Sequence, residues 1–225
     1  MLPRETIDTT DIPGGDTLTL VKHGRDHIIM LGRDELMGTR MQFSEEQLAV
    51  LTLERVTARN PRVLIGGYGM GFTYRAALAA IDKGEVVVAE VVPGILDWAR
   101  GPLAELTGVT LDDPRGEVVL CDVAALIDDA NDGTCKKFDA IMLDVDNGPD
   151  GVVRDGNERL YTRTGLGKAR DALRPGGVLA VWSAAPDPKF ARRLKDAGFD
   201  VEERVVRARP NNKGPRHIIW FARKT

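Results

Sequence analysis

The sequence predicts an α/β protein: a doubly wound, mostly parallel sheet of seven strands, preceded by a small β-rich section. Three observations predict it. From Arg62 onward, short apolar runs alternate with segments of helical period. The first of these runs ends in a glycine-rich turn, Gly66–Gly71. The next three end in acids, Glu90, Asp122 and Asp144, so chemistry-bearing residues recur at successive strand ends.

Residues 1–43 read as the small β-rich section, and 44–225 as the α/β domain. Thr17–His23 and His27–Leu31 are strand-like runs joined by Gly24-Arg25-Asp26, which is hairpin chemistry. Ser44 followed by Gln47 is a capping-box signal for a helix running to about Ala58, and Asn60-Pro61 ends it. Strands are expected at Arg62–Ile65, Glu85–Ala89, Glu117–Leu120, Phe138–Leu143, Val178–Trp182, Val201–Arg207 and His217–Ala222. Between them the pattern predicts helices over Phe72–Ile81, Pro93–Leu106, Val123–Asp129, Tyr161–Leu173 and Lys189–Ala197. Pro93 suits a first helical position, and Arg174-Pro175-Gly176-Gly177 turns the chain into the fifth strand. Arg207–Arg216 reads as a loop between the last two strands.

The 225 residues suffice for one such domain with a small appendage, and 43% hydrophobic residues can fill its core. A net charge of −3 gives no global attraction to nucleic acid or anionic membrane. No apolar run approaches the roughly 20 residues that span a bilayer. Met1–Gly15 lacks the basic-then-apolar order of a signal peptide, so a cytoplasmic protein is expected. Cys121 and Cys135 make neither a metal pattern nor a disulfide framework, and no metal is expected.

In a parallel sheet the four strand ends lie on one edge, where open α/β sheets bind ligands. The glycines permit close backbone approach, and the following helix offers free N–H groups to negative charge. Glu90 is placed to accept from two ribose hydroxyls and Asp122 from an adenine amine, with Val91 and Val123 beside them. The spacing discriminates among nucleotides: both registers of G-x-G-x-x-G fail, at Phe72 and at Tyr68, and no Gly-Lys-Ser/Thr follows. Gly67-Tyr68-Gly69-Met70-Gly71 has the G-x-G-x-G spacing of S-adenosylmethionine-dependent transferases.

Several motifs together resemble the spermidine synthase, or polyamine aminopropyltransferase, family within the class I methyltransferase-like Rossmann fold. They are Val63-Leu64-Ile65-Gly66-Gly67, the Glu90 strand end, Cys121-Asp122-Val123, Phe138–Asp144, Leu160-Tyr161-Thr162 and Leu173–Ala180. The resemblance implies that S-adenosylmethionine or its decarboxylated form binds at Gly66, Gly67, Tyr68, Gly69, Gly71, Glu90, Val91, Asp122 and Val123. It places Asp144 beside the reacting amine as the catalytic residue, and it implies a homodimer. Gln42, Asp146, Asn147 and Tyr161 would meet the acceptor, a small amine. Two family features have no counterpart: the amine-holding aspartate of the glycine loop falls on Gly69 or Met70, and residues 42–58 contain no tyrosine or histidine. The family's second catalytic-loop aspartate is Asn147, with Asp146 adjacent.

Three readings follow: aminopropyl transfer to an amine, methyl transfer from the intact donor to a small molecule, and non-catalytic nucleoside binding. The acid-rich stretch Asp122–Glu158 suits a cationic acceptor. Arg204, Arg207, Arg209, Lys213 and Arg216 read as a solvated edge, His217 as structural, and His23 and His27 as exposed. Trp98, Trp182 and Trp220 read as core, Tyr68 as packing on cofactor or acceptor, and Tyr161 as closing the catalytic loop.

Overall fold

A computed structural model describes residues 3–107, 111–145, 148–149 and 156–225. The chain opens with an antiparallel meander, β1 (Arg4–Asp11), β2 (Thr17–His23), β3 (Asp26–Leu31) and β4 (Asp34–Gly38). Its middle strands alternate: Leu18, Leu20 and Ile29 pack into the core of the larger sheet, while Val21, Ile28 and Met30 cluster on the opposite face. Helix α1 (Phe43–Leu53) follows.

The larger sheet then alternates with helices: β5 (Arg62–Gly66), α2 (Phe72–Ala80), β6 (Glu85–Glu90), α3 (Pro93–Arg100), α4 (Ala104–Thr107), β7 (Gly116–Leu120), α5 (Val123–Asn131) and β8 (Phe138–Leu143). It continues with α6 (Glu158–Tyr161), α7 (Arg163–Ala172), β9 (Leu173–Ser183), α8 (Pro188–Asp196), β10 (Phe199–Arg209) and β11 (Lys213–Lys224). The spatial order is β10-β11-β9-β8-β5-β6-β7. Pairing is parallel from β9 to β7 and antiparallel at β9–β11 and β11–β10. The chain leaves β5 in one direction through β6 and β7, then crosses back to β8 on the other side of β5. That reversal is the switch point where such sheets open a crevice.

Helices cover both faces, so the central strands are apolar throughout, and all six residues of β8 are buried. One face carries Val63, Ile65, Val86, Val88, Ala140 and Met142 under α1, α2 and α3. The other carries Leu64, Val87, Ile141, Leu143 and Trp220 under α5, α7 and α8. Fully burying one such side chain is worth about 1.5–3 kcal/mol. Trp98 and Trp220 are buried as expected.

Several local expectations are corrected. The meander has two further strands, β1 and β4. Ser44 does not cap α1: Gln42 occupies the cap position without a side-chain bond, and the Ser44 hydroxyl shares a 2.8 Å hydrogen bond with His217 Nδ1 on β11. The helix ends at Leu53, because the chain leaves through tighter turns in which Arg55 and Val56 N–H donate to the Thr52 and Leu53 carbonyls. The Pro93 helix breaks at Gly101, whose backbone is not helical (φ −107°, ψ −109°). The expected helix at 161–173 splits at Thr162, which is extended and caps α7 by accepting from Gly165 N–H. Arg207–Arg216 is mostly paired strand, closed at Asn211 and Asn212, both with φ near +60°. His23 and His27 are half-buried rather than exposed, and burial lowers the His27 pKa. No helix among the described residues is long and apolar enough to cross a membrane.

Candidate active site

A cleft opens over the C-terminal ends of β5, β6 and β8, at the switch point. Backbone bonds tie these ends together: Gly67 N–H donates to the Ala89 carbonyl (2.9 Å) and Asp144 N–H to the Gly66 carbonyl (3.0 Å). Gly67 has φ +89°, and a Cβ there would lie 2.5 Å from the Asp144 carbonyl oxygen, so the crossing requires glycine. The opposite wall comes from the meander and its connections, through Ile12, Leu18, Ile29, Leu36 and Met37.

Four carboxylates line the cleft: Glu45, Glu90, Asp122 and Asp144. Glu90 ends β6 and clamps two loops. Its Oε2 accepts from Tyr68 N–H (2.9 Å), and Oε1 accepts from Val91 N–H (2.8 Å) and Val92 N–H (2.9 Å). A carboxylate offers about four acceptor positions, so one remains, on Oε2. Asp122 caps α5 by accepting from Ala124 N–H (2.9 Å), and its Oδ2 pairs with Arg159 Nη2 at 2.8 Å.

Asp144 follows β8, and its exposed surface is on the cleft. Thr73 Oγ1, in the first turn of α2, donates to its Oδ2 at 2.6 Å. Burial raises the Asp144 pKa from its ordinary value of 3.8 to about 6, and the Thr73 bond acts in the opposite direction. Glu45, in the first turn of α1, is 8% exposed, and its pKa is raised well above 4.5 by burial, then by Asp144, then by Glu46.

The structure therefore brings Gly67, Gly69, Glu90, Val91, Asp122, Val123 and Asp144 to one cleft. Gly66 and Gly71 lie outside it: Gly66 packs beneath Val123 and Val145, and Gly71 starts α2 at φ +74° over the Tyr68 ring. Tyr68 turns its ring into the core, 5.8 Å from that of Tyr74, and its N–H donates to Glu90. Gln42 does not line the cleft; its carbonyl accepts from the N–H groups of Glu45 and Glu46. Tyr161 packs edge-on to Phe190 at 5.8 Å in the far core and is not among the residues lining the cleft. Asp146 and Asn147 lie outside the described residues.

Sequence reasoning missed Glu45, Asn157 and Trp182. Trp182 is buried, as expected of a core residue, but it also lines the cleft; its ring lies 4.7 Å from that of His217. No local signal distinguishes Glu45 from other acids near a helix N-terminus, and only the packing of α1 against the sheet buries it. At the glycine loop, a Cβ on Gly69 would lie 2.7 Å from Sδ and Cε of Met37, so a methionine from β4 stands where a side chain at 69 would point. Among the described residues no group of His, Cys, Asp and Glu is arranged to hold a metal ion.

The sheet order, with helices on both faces and a glycine crossing at the switch point, defines a methyltransferase-like Rossmann fold. Within that class the chain is similar to the polyamine aminopropyltransferases. That of Nitrosomonas europaea is 35% identical over 147 residues, 63% of this chain and 42% of that protein. The chain spans less than half the length of the curated relatives it matches. No family model matches it. Among solved structures, the spermidine synthase from Thermotoga maritima superposes with a TM-score of 0.75 at 21% identity, over 98% of this chain and 73% of that one. A spermidine synthase in complex with the transition state analogue AdoDATO gives 0.73 at 20% identity, over 98% and 72%. The fold and the resemblance read from the residues are both borne out.

Proposed function

We propose that the chain is a transferase moving an aminopropyl group from decarboxylated S-adenosylmethionine to a small amine. One observation carries the choice of donor: the cleft is lined by Glu45, Glu90, Asp122 and Asp144, and no Lys or Arg is among the described lining residues. The intact donor would add a carboxylate to this acidic cleft. A like charge brought to about 5 Å costs about 3 kcal/mol at an effective dielectric constant near 20. The decarboxylated donor carries only cationic groups in its tail. The absence of an aspartate at Gly69 therefore does not favour the intact form, and methyl transfer has no lining cation in its support.

In this reading Glu90 and Asp122 hold the nucleoside, Glu90 through its remaining acceptor position and Asp122 beside its cap bond. When bound, the donor supplies an alkyl carbon activated by a sulfonium. Asp144 takes the proton of the attacking amine, and the amine nitrogen forms its new bond to carbon as the carbon–sulfur bond breaks, releasing methylthioadenosine. A pKa near 6 suits that task, since such a carboxylate is ionised at neutral pH yet more basic than an exposed one. The kinship to polyamine aminopropyltransferases supports the same reaction class. A homodimer in the cytoplasm is the accompanying expectation.

The test is calorimetric titration with S-adenosylmethionine, its decarboxylated form and methylthioadenosine. The expected outcome is at least tenfold tighter binding of the decarboxylated form than of the intact one. Equal or reversed affinities would overturn the donor assignment, and binding of none would overturn the nucleoside site.

A further inference from the structure

Glu45 is the one cleft carboxylate whose surroundings do not provide for it. It lines the cleft at 8% exposure, and its Oε2 is buried with no hydrogen-bond partner among the described residues. Its neighbours are committed elsewhere: Ser44 to His217, and Glu46 to Arg75 at 3.4 Å. Thr73 Oγ1 reaches only the Glu45 carbonyl, at 3.3 Å, and makes its shorter bond to Asp144. A buried carboxylate without donors is unfavourable, and the charge of Asp144 acting on it makes it more so. An alkylammonium answers both, because it carries one positive charge and three N–H donors.

We propose that Glu45 is a second carboxylate of the acceptor site, holding with Asp144 the cationic nitrogen of an aliphatic amine. The assignment rests on the transferase reading for the identity of the reaction, but on Glu45 itself for the charge of the ligand. Thr73 Oγ1 reaches both the Glu45 carbonyl (3.3 Å) and Asp144 Oδ2 (2.6 Å), and the charge of Asp144 raises the Glu45 pKa, so the two carboxyls serve one end of the cleft: Glu45 fixes the position of the nitrogen and Asp144 accepts its proton. In the free protein, burial favours the protonated form of both carboxyls, and the charge of Asp144 further favours a proton on Glu45. The other group acting on Glu45 is Glu46, on its own helix, already turned to Arg75. Entry of an ammonium displaces that proton to solvent.

The experiment measures binding of 1-aminobutane and 1,4-diaminobutane, with and without methylthioadenosine, to the wild type and to Glu45→Gln, which matches the protonated acid in shape. The expected result is at least tenfold weaker binding of both amines by the variant, with methylthioadenosine affinity within twofold of wild type. Unchanged amine affinity overturns the proposal. So does a tenfold loss confined to the decarboxylated donor, which would assign Glu45 to the donor's own ammonium. A wild type that binds amines but not methylthioadenosine removes the nucleoside reading and leaves Glu45 standing. Should the variant not fold, proton release by the wild type decides. Heats of 1,4-diaminobutane binding at pH 6, in two buffers of different ionisation enthalpy, should show release of about one proton, and release near zero overturns the proposal.

Discussion

The four acids of the cleft form two pairs that the protein treats in opposite ways. Glu90 and Asp122 are met by the fold itself, with three backbone N–H groups on one, and a helix N-terminus and a guanidinium on the other. Asp144 has one hydroxyl, that of Thr73, which at Glu45 reaches only the backbone carbonyl, and both carboxyls are pushed toward their neutral forms. The first pair holds the loops in shape whether or not a ligand is present. The second is held at an energetic disadvantage that a cation would relieve, which is how perturbed carboxylates mark functional sites. Substitutions within the two pairs should therefore change stability with opposite signs.

The largest effect is expected at Glu90. Glu90→Ala strips three charge-assisted bonds and leaves their N–H donors buried, which should lower stability by about 4 kcal/mol and abolish nucleoside binding. Urea unfolding reads the first effect, and a loss under about 1 kcal/mol would mean that the clamp is not holding the loops. Asp144→Asn should do the reverse. The native pKa near 6 lies above the ordinary 3.8, so the folded state holds this proton more tightly than the unfolded one. That contribution is full below about pH 4, falls as pH rises through 6, and is absent above it. About two pKa units correspond to about 3 kcal/mol, so the ligand-free Asn variant should exceed the wild type by about 2–3 kcal/mol at pH 8 and match it near pH 4. Burial lowers the His217 pKa, an effect of opposite sign near and below pH 6.5, but His217 is present in both proteins and cancels in the difference. Turnover should fall at least about 100-fold as the proton acceptor is lost. Equal stability of the two proteins at pH 8 would dissolve the distinction between the pairs.

The first pair was legible in the sequence because its residues obey chain-local rules. An acid at the end of an apolar run, before a helix, is a natural cap, and Asp122 is seen capping α5. The core strands were equally legible, since burial on both faces leaves uninterrupted apolar runs such as Phe138–Leu143, broken only by Asp139. β1 was not, because Arg4–Asp11 is mostly exposed and carries a single apolar residue, Ile7. Nor was Glu45, whose burial depends on α1 packing over the sheet and whose neighbour Ser44 is drawn from its capping role by His217, far along the chain. The packing of Tyr161 against Phe190 was equally hidden, because it joins residues far apart in the chain. Where tertiary contacts reassign a polar side chain, local pattern carries no trace of it.

A smaller effect is expected at Asp122. Asp122→Ala removes a cap, worth about 1 kcal/mol, and should weaken methylthioadenosine about tenfold while leaving amine affinity alone. Loss of amine affinity as well would mean that the nucleoside and amine ends of the cleft are not separate. The smallest is at Arg159, whose pairing with Asp122 is exposed on the Arg159 side. Exposed pairs contribute about 0–1 kcal/mol, so Arg159→Ala should leave stability almost unchanged. Its nucleoside affinity is the sharper readout. If Asp122 Oδ2 must be free to accept from the base, removing Arg159 should hold or improve the affinity for methylthioadenosine. If binding instead weakens severalfold, the guanidinium orients the carboxylate, and Asp122 depends on a side chain for its geometry as Asp144 depends on Thr73.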